Sequence, residues 1–283
     1  GQGSKTVLSQ MAAEAMGVSL DRFFAETVDT SFDPAGGTST SSRITMQAGR
    51  AAVAAGESAR GEILRLAWEY LEADPQDLDL MEDEVFSRGH PDASVGLDAL
   101  AKKFVTDKQR LIGSGTWEPR PVVIDPETGQ GEPWAVYAFG VQAAEVEVNP
   151  ETGEVRLLRI VAAHDVGRAI HPQGVEMQID GGVYMGASFG LMEELVLKDG
   201  VVENPDLAAY LLPSSLDVPD EIEPILVESP YSGGPYGAKG AGEPPVVPTA
   251  AAIAAAIWDA VGVRVYDLPI TAEKIVRELN GFA

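Results

Sequence analysis

Apolar residues recur at helical spacing in three parts of the chain. Between residues 4 and 16 they lie three or four positions apart, and Gly17 follows as a residue suited to ending a helix. Residues 45–71 carry the same spacing in one long run, where Gly49 and Gly56 permit close contact with another segment. The pattern therefore predicts helices over 4–16, 45–71 and 98–106.

Strand patterns occur in four other segments. Apolar runs flank NPETGE at residues 149–154, which predicts a β-hairpin with a turn of four or five residues. A second hairpin is expected in EELVLKDGVVEN, where Lys198, Asp199 and Gly200 form the turn. A strand pair is expected within residues 78–87, and residues 18–31 mix apolar and polar positions in the manner of a strand.

A further helix is predicted within residues 171–195, where Gly181, Gly182, Gly186 and Ala187 would allow a neighbour to approach closely. An alanine-rich helix is expected around 250–257. Sheets with helices packed on them give an α+β class with mixed sheets. The division we expect is a first α+β part over 1–112, a loop-rich connection over 113–133 and a second α+β part over 134–283.

Charge and cysteine content exclude several classes of function. Acidic residues outnumber basic ones 44 to 20, which argues against nucleic acid and against an anionic membrane surface as partners. The chain has no cysteine, so any iron–sulfur cluster or thiolate-bound metal must lie elsewhere. The apolar runs are short and interrupted, and no secretory leader pattern is seen, so we expect a cytoplasmic protein without a membrane span.

A glycine-rich segment precedes the alanine-rich helix. Glycines lacking a Cβ let backbone N–H groups approach an anion or a flat ligand, and here five occur at 233, 234, 237, 240 and 242. The segment lacks the Gly-Lys-Ser/Thr of a phosphate-binding loop and the context of a dinucleotide fingerprint. It predicts a ligand cradle, with an ordinary surface loop as the alternative.

Glu243 is the single carboxylate of this segment, and it precedes Pro244 and Pro245. Two prolines fix φ and so hold the direction of the acid, and a carboxylate in an apolar setting can act as a base near neutral pH. The alternative is an acid that caps the following helix.

Four segments resemble one family. GAKGAGEPP followed by PTAAAIAAAIWDA resembles the signature near the C-terminus of the molybdenum-binding subunit in the xanthine dehydrogenase and aldehyde oxidase family, the molybdenum hydroxylases. In matching order, the chain also carries GQGSKTVLSQMAAEAMGV, DTSFDPAGGTSTSSR and HDVGRAIHPQGVEMQIDGGVYMGASFGLMEEL. The resemblance covers nearly the whole chain and implies the C-terminal half of such a subunit, with a duplicated molybdopterin-binding architecture.

The resemblance assigns roles to particular residues. Glu243 would be the catalytic base. The molybdenum would be held by the dithiolene of the pterin and by no protein side chain. The cofactor-binding positions would be Gln2, Ser41, Ser42, Arg43, Gln178, Lys239, Gly240, Ala241 and Gly242. The last four would line the metal site, and the others would contact the pterin or its phosphate.

The resemblance also implies an activity and partners. The enzyme would hydroxylate an N-heterocycle such as a purine, or an aldehyde, with oxygen derived from water. Its cofactor would be molybdenum–molybdopterin, with the cytosine dinucleotide form as one candidate. Iron–sulfur clusters and FAD would lie on partner chains, so the partners would be an iron–sulfur subunit, a flavin subunit and the upstream half of the molybdenum subunit.

Two positions depart from the family pattern, and two other functions stay open. His171 stands where the family usually has Asn, and Met185 stands where Gln is common. The chain could be a structural or assembly module of the same fold without molybdenum, or a flavin or nucleotide binder that uses the glycine segment. His90, His164 and His171 lack the spacing of metal ligands, so structural roles are expected for them.

Overall fold

The computed structural model describes residues 2–26, 29–31, 33, 36–107, 110–119 and 123–281. Five residues of the predicted strand and the serine-rich segment lie outside the described residues, namely Thr27, Val28, Phe32, Pro34 and Ala35. The chain divides into two compact units. Unit 1 contains Gly3–Val136 and Pro230–Gly240, and unit 2 contains Gln2, Tyr137–Ser229 and the chain from Ala241 onwards.

Unit 1 packs helices on a small antiparallel sheet. Its helices are α1 (Ser4–Met16), α2 (Ile44–Leu71) and α3 (Leu97–Thr106), and its strands are β1 (Leu78–Met81), β2 (Glu84–Ser87), β3 (His90–Gly96), β4 (Val123–Ile124) and β5 (Gly131–Glu132). Strands β1, β2 and β3 form one sheet, while β4 and β5 form a separate pair. The three predicted helices and the β1–β2 pair are confirmed; β3 was not predicted.

Close packing of α1 against α2 depends on glycine. A Cβ at Gly56 would lie 2.6 Å from the carbonyl oxygen of Ala12, and one at Gly49 would lie 2.7 Å from the sulfur of Met11. Since these distances are shorter than van der Waals contact, only glycine fits without a shift of the neighbours. The close contact predicted at both glycines is confirmed.

Two glycines of α2 should respond oppositely to alanine. We expect Gly56→Ala to destabilise the protein by about 1–3 kcal/mol, because the added Cβ meets backbone of α1. Nothing lies within 4 Å of a Cβ added at Gly61, so Gly61→Ala should stabilise by roughly 0.5–1 kcal/mol through helix propensity. Urea unfolding of both variants tests this pair, and equal free energies of unfolding would contradict the packing described.

The strand expected within residues 18–31 is wrong for the described residues of that segment. A 3₁₀ turn, Leu20–Arg22, stands there instead. Arg22 donates to Asp83 at 2.7 Å and to Asp98 at 2.6 Å, so its charged end points to acids of other segments. The apolar and polar residues of this segment therefore do not form the two faces of a strand.

Unit 2 is built on a mixed sheet. Its elements are β6 (Gly140–Val148), β7 (Val155–Asp165), α4 (Pro172–Leu191), β8 (Leu197–Lys198), β9 (Val201–Val202), β10 (Glu221–Val227), α5 (Thr249–Val261) and α6 (Ala272–Leu279). The sheet has the order β10-β7-β6, with β6 antiparallel and β10 parallel to β7. Both predicted hairpins and helices α4 and α5 are confirmed, as is the α+β class with mixed sheets.

Strand β10 was not predicted from the sequence. It contains Pro224, and proline lacks the N–H that an inner strand must donate. Because β10 lies at the edge of its sheet, it tolerates this residue. Apolar residues from the sheet, from α4 and from α5 close the core of unit 2, including Ile160, Ile179, Val183, Ile253 and Ile257.

One described stretch, Pro244–Val261, has the length and composition of a membrane span. One such stretch is weak evidence for a membrane. Its α-helical part begins only at Thr249 and has 13 residues, whereas a span needs about 20. Ile253 and Ile257 of this helix are buried in the core of unit 2. Core packing therefore accounts for these two apolar side chains.

Candidate functional site

In unit 1 the predicted cofactor residues Ser41 and Ser42 lie immediately before α2. Both have a left-handed backbone, with φ of 56° and 49°. Successive turn residues of this kind can direct backbone N–H groups towards an anion. The first N–H groups of the 28-residue helix α2 have no partner within the helix, and the helix dipole places partial positive charge at this end. The segment is therefore suited to bind a negative group.

Arg43 holds the serine loop, which we define as residues 36–42. Its Nε donates to the carbonyl oxygen of Thr38 at 2.8 Å, and its backbone N–H donates to that of Thr40 at 3.3 Å. These bonds tie the loop to the first residue before α2. The observed role of Arg43 is thus to shape the loop that presents the two serines.

Gly240 lies directly against Ser42. A Cβ at Gly240 would be 1.8 Å from the carbonyl oxygen of Ser42, a distance that no side chain can occupy. The preceding residue, Lys239, is half-buried and engaged in an interaction of its own. Unit 1 therefore brings Ser42 and Gly240 together although they are far apart in sequence.

The segment that ends at Gly240 is folded by its own backbone. The N–H of Tyr231 donates to the carbonyl of Gly237 at 3.0 Å, and the N–H of Gly237 donates to that of Gly234 at 3.2 Å. The hydroxyl of Tyr236 donates to the carbonyl oxygen of Met11 on α1 at 3.3 Å. These bonds fix the approach of Gly240 to the serine loop, so the segment is more ordered than an ordinary surface loop.

In unit 2, Glu243 begins a 3₁₀ turn formed by Pro244–Val246. Its side chain is exposed and makes no capping hydrogen bond to this turn within the described part of the chain. The backbone carbonyl of Glu243 accepts from the N–H of Val246 at 3.0 Å. The capping alternative is therefore not supported, and the apolar setting expected around Glu243 is not supplied by the described residues of this chain.

Gln178 lies on the face of α4 that meets this turn. Counting by four along the helix, Gln178 is followed by Gly182 and Gly186 on the same face. A Cβ at Gly182 would lie 2.6 Å from Pro245, and one at Gly186 would lie 2.7 Å from the carbonyl oxygen of Val246. Unit 2 therefore places Gln178 on the helix face that holds the Glu243 turn. Gly181, in contrast, has nothing within 4 Å of its Cβ position.

A buried polar network supports the same turn. The side-chain amide of Gln142 bonds to the carbonyl oxygen of Pro245 at 2.7 Å and to Nε2 of His164 at 3.1 Å. Thr249 Oγ1 donates to Oε1 of Gln142 at 2.7 Å. Burial lowers the pKa of His164. No pattern in the sequence connects these three side chains.

Comparison with known proteins decides the family. Residues 1–219 match the model of the molybdopterin cofactor-binding domain. The chain belongs to this family. Known relatives resemble this chain along nearly its whole length, and two proteins and one solved structure serve as examples.

The first relative is the 6-hydroxypseudooxynicotine dehydrogenase complex subunit gamma of Paenarthrobacter nicotinovorans, 32% identical over 99% of this chain and 35% of its own length. The second is the xanthine dehydrogenase molybdenum-binding subunit of Escherichia coli O157:H7, 31% identical over 99% of this chain and 36% of its own length. The chain therefore spans about a third of the length of these relatives. It matches their C-terminal part, which is less than the half expected.

The solved structure is quinoline 2-oxidoreductase from Pseudomonas putida 86. It matches with a TM-score of 0.84 and 29% sequence identity, and covers 99% of this chain and 35% of that chain. Similarity at this level across both units agrees with the α+β class expected for a molybdopterin-binding domain.

One departure from the family pattern has a structural explanation. Nδ1 of His171 accepts the backbone N–H of Gly174 at 2.8 Å and so caps the N-terminus of α4. Asn is a preferred residue for this task because its side-chain oxygen accepts the same bond. His171 therefore preserves the cap in this molybdopterin-binding domain. Met185, the other departure, is about half exposed on α4.

The remaining predicted residues lie at the ends of these segments. Gln2 is exposed next to the start of α1 and is engaged in an interaction. Ala241 is half-buried and Gly242 is exposed, and both lie between Gly240 and Glu243 in the chain. Their roles in cofactor binding stay predictions.

Proposed function

We propose that this chain is the C-terminal cofactor-binding part of the molybdenum subunit of a molybdenum hydroxylase. The observation that carries the proposal is the approach of Gly240 to Ser42 at the start of α2, in a chain of the molybdopterin-binding family. The names of the relatives, a dehydrogenase complex subunit and a xanthine dehydrogenase subunit, support an oxidoreductase.

The residues present fit a phosphate-bearing pterin. Left-handed Ser41 and Ser42 offer backbone donors at the positive end of α2, and the missing Cβ at Gly240 lets the glycine-rich segment lie directly against Ser42. In unit 1 we assign Ser41, Ser42, Arg43, Lys239 and Gly240 to the cofactor. In unit 2 we assign Gln2, Gln178, Ala241 and Gly242. The side-chain amides of Gln2 and Gln178 are suited to the donors and acceptors of a pterin ring.

When bound, the pterin holds molybdenum through its dithiolene and supplies the redox chemistry. Glu243 supplies the proton chemistry of this chain. Its carboxylate accepts a proton from the water whose oxygen enters the product, because an ionised carboxylate is an acceptor without a proton of its own. Pro244 and Pro245 restrict the backbone after Glu243 and so keep its direction.

The substrate class and the partners complete the proposal. We assign the reaction to an N-heterocycle, such as a purine, or to an aldehyde. Electrons leave through iron–sulfur clusters and FAD on partner chains, since this chain has no cysteine to hold a cluster. The pterin is assigned the cytosine dinucleotide form. The acidic composition is compatible with a cytoplasmic complex without nucleic acid or membrane as partner.

A second candidate is a structural or assembly module of the same fold that binds no molybdenum. The observation that favours it is the exposure of the Glu243 side chain within the described part of this chain. Cofactor content of the native complex separates the two functions.

Isotope labelling tests the proposed reaction. The complex that contains this chain would be purified from its source and supplied with N-heterocycles, aldehydes and an artificial electron acceptor in water enriched in ¹⁸O. We expect the hydroxylated product to carry ¹⁸O from water, and unlabelled water with ¹⁸O₂ serves as the control. Label taken from O₂, or no oxidation of any substrate by a fully loaded complex, would contradict a molybdenum hydroxylase.

A further inference from the structure

We propose that Gln142, His164 and Thr249 are positioning residues that fix the turn carrying Glu243 through the carbonyl oxygen of Pro245. The inference rests on the proposed function, because it gives the network a role only if Glu243 is the base. The three side chains come from β6, β7 and the first residue of α5. None of them was among the residues expected to form the site.

The network leads from buried side chains to the backbone after Glu243. Thr249 and His164 are almost completely buried, with 0% and 2% exposure. Gln142 Nε2 lies 2.7 Å from the carbonyl oxygen of Pro245, and Thr249 Oγ1 lies 2.9 Å from the same oxygen. Pro245 is two residues after Glu243 and is itself buried. Its carbonyl is therefore held by the amide of Gln142, with the hydroxyl of Thr249 next to it.

The hydrogen-bond chemistry permits one arrangement of donors. The two N–H groups of the Gln142 amide donate to Pro245 and to Nε2 of His164, since a carbonyl oxygen can only accept. His164 must then be neutral, with its proton on Nδ1. The amide oxygen accepts from the hydroxyl of Thr249 at 2.7 Å. A flipped amide would place oxygen against oxygen at Pro245, so the orientation of Gln142 is set.

The sheet holds the other end of the network. Gly140 on β6 is the register partner of His164 on β7, and a Cβ at Gly140 would lie 2.4 Å from Nδ1 of the imidazole. The ring is thus confined by the neighbouring strand. Because β6 and β7 are paired along their length, Gln142 and His164 form a rigid base for the contact with Pro245.

The turn is confined from the opposite side by α4. Gly182 contacts Pro245 and Gly186 contacts Thr249 and Val246. Pro244 and Pro245 add restricted φ angles, so a displacement of the Pro245 carbonyl must move the backbone of Glu243. A misplacement of about 1 Å can cost about 100-fold in rate, which makes the network relevant to catalysis and not only to folding.

Thr249→Val tests the proposal in the complete enzyme. The change keeps the shape of the side chain and leaves the amide oxygen of Gln142 without its buried donor. We expect kcat to fall by about tenfold or more, with KM and molybdenum content within about twofold of wild type. Thr249→Ser restores the hydroxyl and should bring kcat back to within about threefold. If Thr249→Val does not accumulate, Gln142→Met takes its place. That change removes the bonds of the Gln142 amide to Pro245, His164 and Thr249.

Thr271→Val is the matched control. Thr271 caps α6, where its Oγ1 accepts the N–H of Lys274, and no hydrogen bond among the described residues joins it to the network. We expect this variant to lower the melting temperature while kcat stays at the wild-type value. A Thr249→Val enzyme with the same kcat as Thr271→Val, or a Thr249→Ser enzyme as slow as Thr249→Val, would overturn the proposal.

Hydrogen exchange supplies a readout that does not depend on turnover. The N–H groups of Val246 and Val247 are bonded within the turn, to Glu243 and Pro244. We expect both to exchange faster in Thr249→Val and to exchange normally in Thr271→Val; unchanged exchange would overturn the network. A normal rate in Glu243→Gln would instead contradict the proposed function. The exchange rates of Val246 and Val247 would still show whether the network holds the turn.

Discussion

Replacing Glu243 by Gln is expected to abolish turnover of the complete enzyme and to leave its molybdenum and pterin content unchanged. The amide has nearly the same shape as the carboxylate, but it cannot accept a proton. General base catalysis by a positioned side chain contributes about 10²–10⁴-fold, so we expect a loss in kcat of this size or greater. Steady-state kinetics and metal analysis on the same preparation provide the measurement.

Glu278→Gln is the control for this change. Glu278 is an exposed acid near the end of α6, so the variant removes one negative charge elsewhere in unit 2. It should keep the wild-type kcat. A Glu243→Gln enzyme that retains a near-normal rate with full cofactor would show that Glu243 is not the base.

Gly240→Ala is expected to remove the cofactor itself. The added Cβ would lie 1.8 Å from the carbonyl oxygen of Ser42, and the atom it meets is backbone that no rotamer change can move. Relief of this clash must displace either the serine loop or the segment before Glu243. We expect pterin and molybdenum occupancy to fall by about tenfold or more, with activity falling in proportion.

Gly36→Ala is the matched control for the second variant. Gly36 belongs to the serine loop, and none of the described residues lies within 4 Å of its Cβ position. Its occupancy should equal that of the wild type. Normal pterin and molybdenum content in Gly240→Ala would contradict the cofactor role assigned to the contact between Gly240 and Ser42.

The elements of the fold that were predicted correctly have sequence patterns that lie within one continuous segment. Helix α2 and the β6–β7 hairpin are specified by spacing and turn residues within one continuous segment. The parallel pairing of β10 with β7 joins segments about 60 residues apart, and Pro224 weakens the strand pattern of β10. Residues 18–31 show the reverse error, since a strand-like pattern was read where Leu20–Arg22 form a 3₁₀ turn whose Arg22 pairs with Asp83 and Asp98.

The same distinction separates the site residues that could be predicted from those that could not. Glu243 and Gly240 lie in one short segment that carries a recognisable pattern, so the sequence identified both. The network behind the Glu243 turn joins Gln142 to His164 across 22 residues and to Thr249 across 107. Gln, His and Thr at such separations have no shared spacing, and only folding of the sheet against α5 brings them together. For Glu243 the structure adds that the 3₁₀ turn forms without a capping hydrogen bond from its side chain.

Quantification of molybdenum and pterin in the native complex shows whether this chain holds a molybdenum cofactor. The complex would be purified with its partner chains, and metal and oxidised pterin would be measured against the amount of this chain. We expect about one molybdenum and one pterin for each copy of the chain. A complex that contains the chain in full amount but neither molybdenum nor pterin would show that the chain does not hold the cofactor. That result would favour the structural module.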